Sequence, residues 1–478
     1  MNYIGSTLED HSRQFPDKLA VVSEKDRITY KEFNELVTGY QQALLKYTGV
    51  HKKRIGIKVE DPPAFLALFM ATAGNGWEAM PIDPKWTDAE IRHAYAVASP
   101  DYIVTDGEEA EEDDRVIAIR RLREAGRGHA LVSPPAPLDD FYVGFTSGSS
   151  GKPKGFTRHH LSWTESFSVC EEIFQLTQRD IITSPGPLYH SLSLFTAVHA
   201  IQLGATLHVT DAFHRKTLLD RLEKDEIDTF VGVPTMLEAL MEECRSRSLQ
   251  LQGIKKVIVS GAGWSQTSKE KARCFFPEAS FLEYYGASEL SFVMYKKDRE
   301  QGHRPFPNVS VRILNEHFKE TDCKEAGNVF VRSPMLFTGY LGLPEETKEV
   351  LTPYGATVGD VGYKNENGEV VLVGRKSNMI KSGGLKVYPE EVEAVLESHP
   401  DIEASIVYPV EDPYWGEMVV CSLQLKNKAC LTAEDVRNFC RGKLSDYKVP
   451  KQILPLSVFH YTKSGKINRK ATLEGRTL

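Results

Sequence analysis

Between Phe145 and Gly155 the chain reads Phe-Thr-Ser-Gly-Ser-Ser-Gly-Lys-Pro-Lys-Gly, a short loop that collects hydroxyls, glycine-freed amides and two lysines. Gly148 and Gly151 let the backbone turn its N–H groups inward and approach an anion closely. Thr146, Ser147, Ser149 and Ser150 add hydroxyl donors, and Lys152 and Lys154 can neutralise charge. The spacing is not that of a Walker A loop, because the glycines fall differently and Pro153 follows Lys152. A flexible polar turn would share this composition, so the rest of the chain must decide between the two readings.

Such a loop needs stiff supports. Phe141, Tyr142, Val143 and Phe145 read as the end of a buried strand leading into it. Upstream, the pattern predicts a helix over 7–15, strands at 19–23 and 28–30, and an amphipathic helix from Lys31 in which Phe33, Leu36, Val37, Tyr40, Leu44 and Leu45 recur at helical spacing. A strand at 54–59, a helix over 64–73 and a strand end at 80–84 follow. The acidic run 108–114 reads as a solvated loop, and 122–139 as irregular chain. Downstream, helices near 160–175, 191–202, 215–225 and 234–244 alternate with strands at 180–184, 205–209, 229–232 and 255–259. This alternation predicts an α/β fold of mostly parallel sheets flanked by helices. Past residue 300, strands at 309–314, 328–332 and 370–373 suggest a small β-rich subdomain. Gly374–Gly384 marks a boundary, followed by an α+β unit with a helix from Pro389, strands at 405–409 and 419–425, a helix over 433–443 and a basic tail.

At 478 residues the chain needs more than one core. A net charge of −8 argues against a general nucleic-acid binder, which would carry a basic stripe. The seven cysteines lie far apart with no C-x-x-C pair, which argues against a disulfide framework or a zinc site and for reduced thiols in the cytoplasm. There is no basic-then-apolar leader, and no run reaches the roughly 20 apolar residues that span a bilayer. The sequence therefore predicts a soluble cytoplasmic protein.

Further clusters share an order along the chain. They are Ala71–Pro84, Pro187-Leu188-Tyr189-His190, Tyr284-Tyr285-Gly286-Ala287-Ser288-Glu289, Val358-Gly359-Asp360-Val361-Gly362 and Thr462-Lys463-Ser464-Gly465-Lys466-Ile467-Asn468-Arg469. Together with the 145–155 loop they resemble the motifs of the acyl-adenylate-forming (AMP-binding) enzymes, a superfamily of acyl-CoA synthetases, peptide-synthetase adenylation domains and luciferase relatives. The resemblance is most like the fatty acyl-CoA synthetases, and it implies ATP, Mg²⁺ and CoA as co-substrates.

The resemblance also implies roles. Thr146, Ser147, Gly148, Ser149, Ser150, Gly151 and Lys154 would grip the phosphates, with Thr146 taking part in catalysis. Glu289 would be the Mg²⁺ ligand, although alone it reads equally as a surface residue or a cap. Gly261, Ala262 and Gly263, with Tyr284, Tyr285, Gly286, Ala287 and Ser288, would enclose the adenine and line the nucleotide. Asp360 would accept the ribose hydroxyls, and Arg375 would bind ribose or phosphate. Lys466 would enter from the small domain to stabilise the charge that develops at the α-phosphate; composition alone would leave it in a basic tail. His190, Trp163, Phe195 and Trp264 would border the acyl pocket, and Ser382, Gly383 and Gly384 the CoA channel. Two departures stand out: Ser193 replaces the usual glycine after the histidine, and Ser377 occupies the hinge position where the family carries aspartate or lysine.

The implied organisation is a large domain over 1–375, a hinge at 376–378 and a small mobile C-terminal domain over 379–478. The leading reading is a medium- or long-chain fatty acid:CoA ligase. Two others stay open: an aryl- or other-acid adenylating enzyme that loads a carrier protein, and an idle nucleotide- or acyl-binding relative. Oligomeric state, monomer or homodimer, also stays open.

Overall fold

The computed structural model describes residues 3–107, 114–125, 133–146, 153–298, 300–426, 429–461 and 467–473. Among these residues the strands form four sheets, and the fold is α/β. In the seven-stranded sheet the order runs Gly339–Tyr340, Lys154–His159, Asp140–Thr146, Glu78–Pro81, Arg54–Lys58, Tyr102–Thr105, Val116–Ala118. It is parallel except at the hairpin that carries the glycine-rich loop and at the short strand beyond it. In the nine-stranded sheet six strands from Ser280–Ala287 to Leu19–Val22 run parallel, and antiparallel partners close both edges.

Two helices lie between these sheets and explain why they are apolar on every side. In Pro62–Gly74 all residues from Pro63 to Ala73 are buried, and in Ser191–Leu203 all from Ser193 to Gln202. The first packs on the seven-stranded sheet, the second on the nine-stranded one, and each packs on the other. A helix without a polar face is stable only where both sides are covered. Asp61 caps the first by accepting from the Ala64 N–H, with prolines in its opening turn.

The remaining sheets are smaller. Ser310–Leu314, Gly327–Arg332, Leu351–Thr352, Gly355–Ala356, Asp360–Lys364 and Val370–Arg375 form an antiparallel sheet. Ile380–Ser382, Leu385–Val387, Ile402–Asp412, Gly416–Leu425 and Gln452–Pro455 form the last, with the helices Pro389–Glu397 and Ala433–Arg441. Its core of Ile380, Val392, Leu396, Val407, Val419 and Val436 is separate from the large one.

Three local readings change. The stretch read as irregular from 122 begins inside a helix, Ile119–Ala125, anchored by buried Ile119 and Leu122; one turn's spacing is too short to signal it. The helices Asp88–Ala98 and Gln266–Phe275 bury only two and three residues respectively, and their clearest signals are the Thr87–Glu90 capping box and the Ser265 cap. The basic tail is in part a strand, since Gln452–Pro455 pairs parallel to Gly416–Leu425. The acidic run 108–113 lies outside the described residues. No helix among them is long and apolar enough to cross a membrane.

Phe69 is fully buried against the rings of Phe141, Tyr142 and Trp163, where the central helix meets the strand that leads to the glycine-rich loop. Phe69→Ala is expected to destabilise the protein by about 3–5 kcal/mol. A urea titration should show an earlier first transition.

Candidate active site

Thr146 and Lys154 are register partners at the open end of the Asp140–Thr146/Lys154–His159 hairpin, so the glycine-rich loop is the connection between two buried strands. Ser147, Gly148, Ser149, Ser150 and Gly151 lie outside the described residues. Lys154 places its ammonium 5.2 Å from the ring centre of Tyr340, on the neighbouring strand.

A second hairpin, Ser280–Ala287/Ser291–Lys297, delivers Glu289 in its turn. Its register shifts between Tyr285 and Gly286, and a Cβ on Gly286 would run into the Ser291 carbonyl, so only glycine fits there. The Phe337 N–H donates to the Glu289 carbonyl at 2.9 Å, and the Tyr340 hydroxyl donates to its carboxylate Oε1 at 2.6 Å. Arg158 lies beneath this turn, 3 % exposed. Its Nη1 donates to the Ser288 carbonyl at 2.9 Å, its Nη2 to the Met335 carbonyl at 2.5 Å and its Nε to Ser162 Oγ at 3.2 Å. Burial pushes its pKa down to about 10, so it remains charged near neutrality.

The third element is the Asp360–Lys364/Val370–Arg375 pair, in which Asp360 and Arg375 are register partners. Arg375 Nε donates to Asp360 Oδ1 at 3.0 Å, and the Tyr285 hydroxyl donates to Oδ2. Burial, and then the Asp360 charge, raises the Tyr285 hydroxyl well above its ordinary pKa, so it stays a donor. Both Asp360 oxygens thus already hold one protein donor each, and a ribose would use the remaining lone pairs. Gly261, Ala262 and Gly263 follow the strand Lys256–Val259, which lies parallel to Ser280–Ala287. Ser260 Oγ donates to the Tyr284 carbonyl at 2.9 Å and ties the two strand ends together. The carboxyl ends of parallel strands are where open α/β sheets bind ligands.

Phe195 lines a narrow apolar slit with Phe174, Tyr284, Phe292, Ile258 and His199. Tyr284 stacks on Phe292 at 4.4 Å, and Phe195 approaches the same ring at 4.7 Å, so the slit is walled by aromatic faces. Trp163 stands behind Phe195 at 5.2 Å, inside the ring cluster around Phe141. His190 precedes the first turn of Ser191–Leu203, with its ring 4.9 Å from Tyr189. Trp264 is not brought to the slit. It sits in a separate core against Phe281, and its indole N–H donates to Ser268 Oγ at 2.7 Å. The sequence reading missed Phe174, Phe292 and His199, which lie on three elements that only the tertiary fold joins.

Gly383 and Gly384, both at positive φ, form the two-residue turn between Ile380–Ser382 and Leu385–Val387. The Gly383 N–H donates to the Trp415 carbonyl at 2.8 Å. Among the described residues the buried Ser382 hydroxyl has no hydrogen-bond partner. Ser377 is exposed in the single turn Lys376–Asn378. That turn is held by Lys376 N–H to Gly359 O at 2.8 Å and by Asn378 to Glu390.

Lys466 lies outside the described residues, between Tyr461 and Ile467, which form an isolated bridge. Beyond it Arg469 donates to the Val407 carbonyl at 2.8 Å and pairs with Glu393. Neither partner's role was legible from the motif.

Family models match this chain over most of its length: AMP-binding enzyme at residues 8–341, and AMP-binding enzyme C-terminal domain at 391–466. The class these matches define is the ATP-dependent, adenylate-forming acid–CoA ligase, with ATP, Mg²⁺ and CoA as co-substrates. The chain belongs to the AMP-binding enzyme family. It is similar to an uncharacterized acyl-CoA ligase, YhfT, of Bacillus subtilis, at 33 % identity over 98 % of this chain and 97 % of that one. It is also similar to a putative long chain fatty acid-CoA ligase, VraA, of Staphylococcus epidermidis, at 28 % identity over 98 % of each. Among solved structures, o-succinylbenzoate CoA synthetase from Bacillus subtilis in complex with its acyl-adenylate shares the fold, with a TM-score of 0.85, 22 % identity and 98 % of each chain covered.

Glu393 gives this region a pH dependence. Burial raises it from 4.5 to about 7, against the pull of Arg469. A carboxyl whose folded pKa is raised supports the fold fully below its unfolded value and loses that contribution as pH rises through the folded one. The thermal midpoint is therefore expected to fall between pH 4.5 and 7 on this group's account, and Glu393→Gln should flatten that slope in calorimetry.

Proposed function

We propose that this protein is an acid:CoA ligase acting on a medium- or long-chain fatty acid. The observation that supports it best is the convergence of three elements: the Thr146/Lys154 hairpin end, the Glu289 turn and the Tyr285–Asp360–Arg375 triad. Bound there, ATP would have its phosphates at the glycine-rich loop, its adenine between Gly261–Gly263 and Tyr285, and its ribose at Asp360 and Arg375.

In the first half-reaction a carboxylate oxygen attacks the α-phosphorus, the bond to the bridging oxygen breaks and pyrophosphate leaves with its electrons. Lys466 would meet the attacking carboxylate and the α-phosphate, where negative charge crowds, a contribution of about 3–4 kcal/mol by analogy with one oxyanion donor. In the second half-reaction a thiolate sulfur attacks the acyl carbon and AMP departs, a far better leaving group than hydroxide or oxide. The hairpin at Ser382–Gly384 would lie along the pantetheine, with the glycine backbone of its turn facing the chain.

Glu289 suits a magnesium site of a particular kind. Among the described residues no group of three or more His, Cys, Asp or Glu is gathered to cage a metal. A single carboxylate fits an ion that takes most of its oxygen ligands from phosphates and water. When bound, Mg²⁺ would neutralise phosphate charge.

The fatty-acid reading draws on the apolar slit and on the name of the staphylococcal relative. A second reading, an aromatic acid, is favoured by the ring faces that wall the slit. Pyrophosphate release measured across saturated acids of graded length and aryl acids, with and without CoA, distinguishes them. Highest kcat/KM for medium or long chains is the expected result. An aryl optimum would replace the first reading with the second. Release without any CoA-dependent thioester would point to a carrier protein, and no release with any acid to an idle relative.

Lys466→Ala is expected to reduce adenylate formation about 10²–10³-fold, while thioester formation from supplied acyl-adenylate survives. The proposed organisation is a large unit over 1–375, a hinge at 376–378 and a small unit over 379–478. Ser377→Pro should then impair thioester formation more than adenylation in single-turnover assays, and equal loss of both would remove the hinge assignment.

A further inference from the structure

We propose that Tyr340 is a positioning residue for Glu289: its hydroxyl holds one carboxylate oxygen and so presents the other to the magnesium of bound ATP. This rests on the reading of Glu289 as the metal ligand.

Glutamate carries a long flexible stem, and fixing it costs side-chain entropy. The backbone of Glu289 is pinned, its own carbonyl by the Phe337 N–H and its neighbour's by Arg158. Neither contact orients the carboxylate. The Tyr340 hydroxyl does, at 2.6 Å from Oε1, and among the described residues no donor reaches Oε2.

Tyr340 is itself held from several sides. Its short strand pairs with Phe156 and Thr157 of the phosphate-loop hairpin, and the next residue's N–H donates to Gly155 O at 2.8 Å. Its own N–H donates to Thr347 Oγ1 at 2.9 Å. Lys154 stands 5.2 Å from its ring centre, a cation–π contact. One aromatic side chain therefore touches the lysine delivered by the seven-stranded sheet and the carboxylate delivered by the nine-stranded sheet. It sets the spacing between a group suited to a phosphate and a group suited to a metal.

Tyr340→Phe keeps the ring under Lys154 and deletes only the hydroxyl. Calorimetric ATP affinity is measured in EDTA and again with saturating Mg²⁺, for the wild type, Tyr340→Phe and Glu289→Gln, alongside the thermal midpoint of each. The ratio of the two affinities reports the magnesium contribution. Tyr340→Phe should lower that ratio about tenfold, the worth of a hydrogen bond to a charged group, while affinity in EDTA stays within about twofold and the midpoint of folding moves little. A purely structural tie would lower both affinities together or shift only the thermal midpoint, and either result overturns the proposal. If Glu289→Gln loses the magnesium contribution and Tyr340→Phe keeps it, the positioning role alone is wrong. If both keep it, the metal reading of Glu289 fails and the proposal fails with it.

Discussion

A guanidinium cannot be buried without partners, and Arg158 is the group around which the two large sheets agree. Desolvating a cation costs several kcal/mol, which only well-placed acceptors offset. Arg158 rises from the hairpin of the seven-stranded sheet and spends its donors on the Ser288 carbonyl in the turn of the nine-stranded sheet, the Met335 carbonyl in a separate crossing segment, and Ser162 on the following helix. No carboxylate forms a salt bridge with it among the described residues. Its charge lies beneath the Glu289 turn and acts on that carboxylate through space. The same contacts that satisfy the cation bring the hairpin, the turn and the crossing segment into one place.

Around that junction the polar groups form short relays. Arg375 and Tyr285 converge on Asp360, and Tyr340 links Glu289 to Lys154. Each relay joins residues more than ten positions apart in sequence. Backbone register does much of the alignment: Asp360 faces Arg375, and Thr146 faces Lys154, because they are ladder partners. Side-chain orientation then has few alternatives. At the other end of the chain Tyr461 and Ile467, on either side of Lys466, bridge to each other, and Arg469 ties the following segment to Val407 of the last sheet and to Glu393 of its helix.

How much of this was legible varies with the kind of signal. Gly286 and Gly383-Gly384 stood out in the sequence as binding positions, and their steric duty came only with the fold: Gly286 abuts the Ser291 carbonyl, and Gly383-Gly384 closes a hairpin. Many of the alternating strands and helices of the first 260 residues were readable because burial on both faces leaves continuous apolar runs, whereas the short strands Tyr102–Thr105, Val116–Ala118 and Lys154–His159 were not. Short polar helices such as Gln266–Phe275 were not, because their caps are a weaker signal than an apolar stripe. Trp264 shows the limit of reasoning by neighbourhood. It follows the Gly261–Gly263 turn directly, yet its ring turns into a separate core. Arg158 carried no sequence signal, since its two long-range acceptors are carbonyls, which every residue possesses.

The sequence by itself determined the class of chemistry, because hydroxyls, glycines and lysines in one loop, and motifs in one order, survive without knowledge of the fold. It also determined the sheets' polarity, since periodicity and burial are local. Which residues act on one another was decided by the tertiary structure. Tyr340 meets Glu289 across 51 positions and Arg158 meets Ser288 across 130, and the partners are brought together only when separate sheets pack. The walls of the apolar slit were decided in the same way, because rings on four different elements have to face one space. Hydrogen bonds and van der Waals contacts act over a few ångströms, and sequence distance carries no record of that proximity.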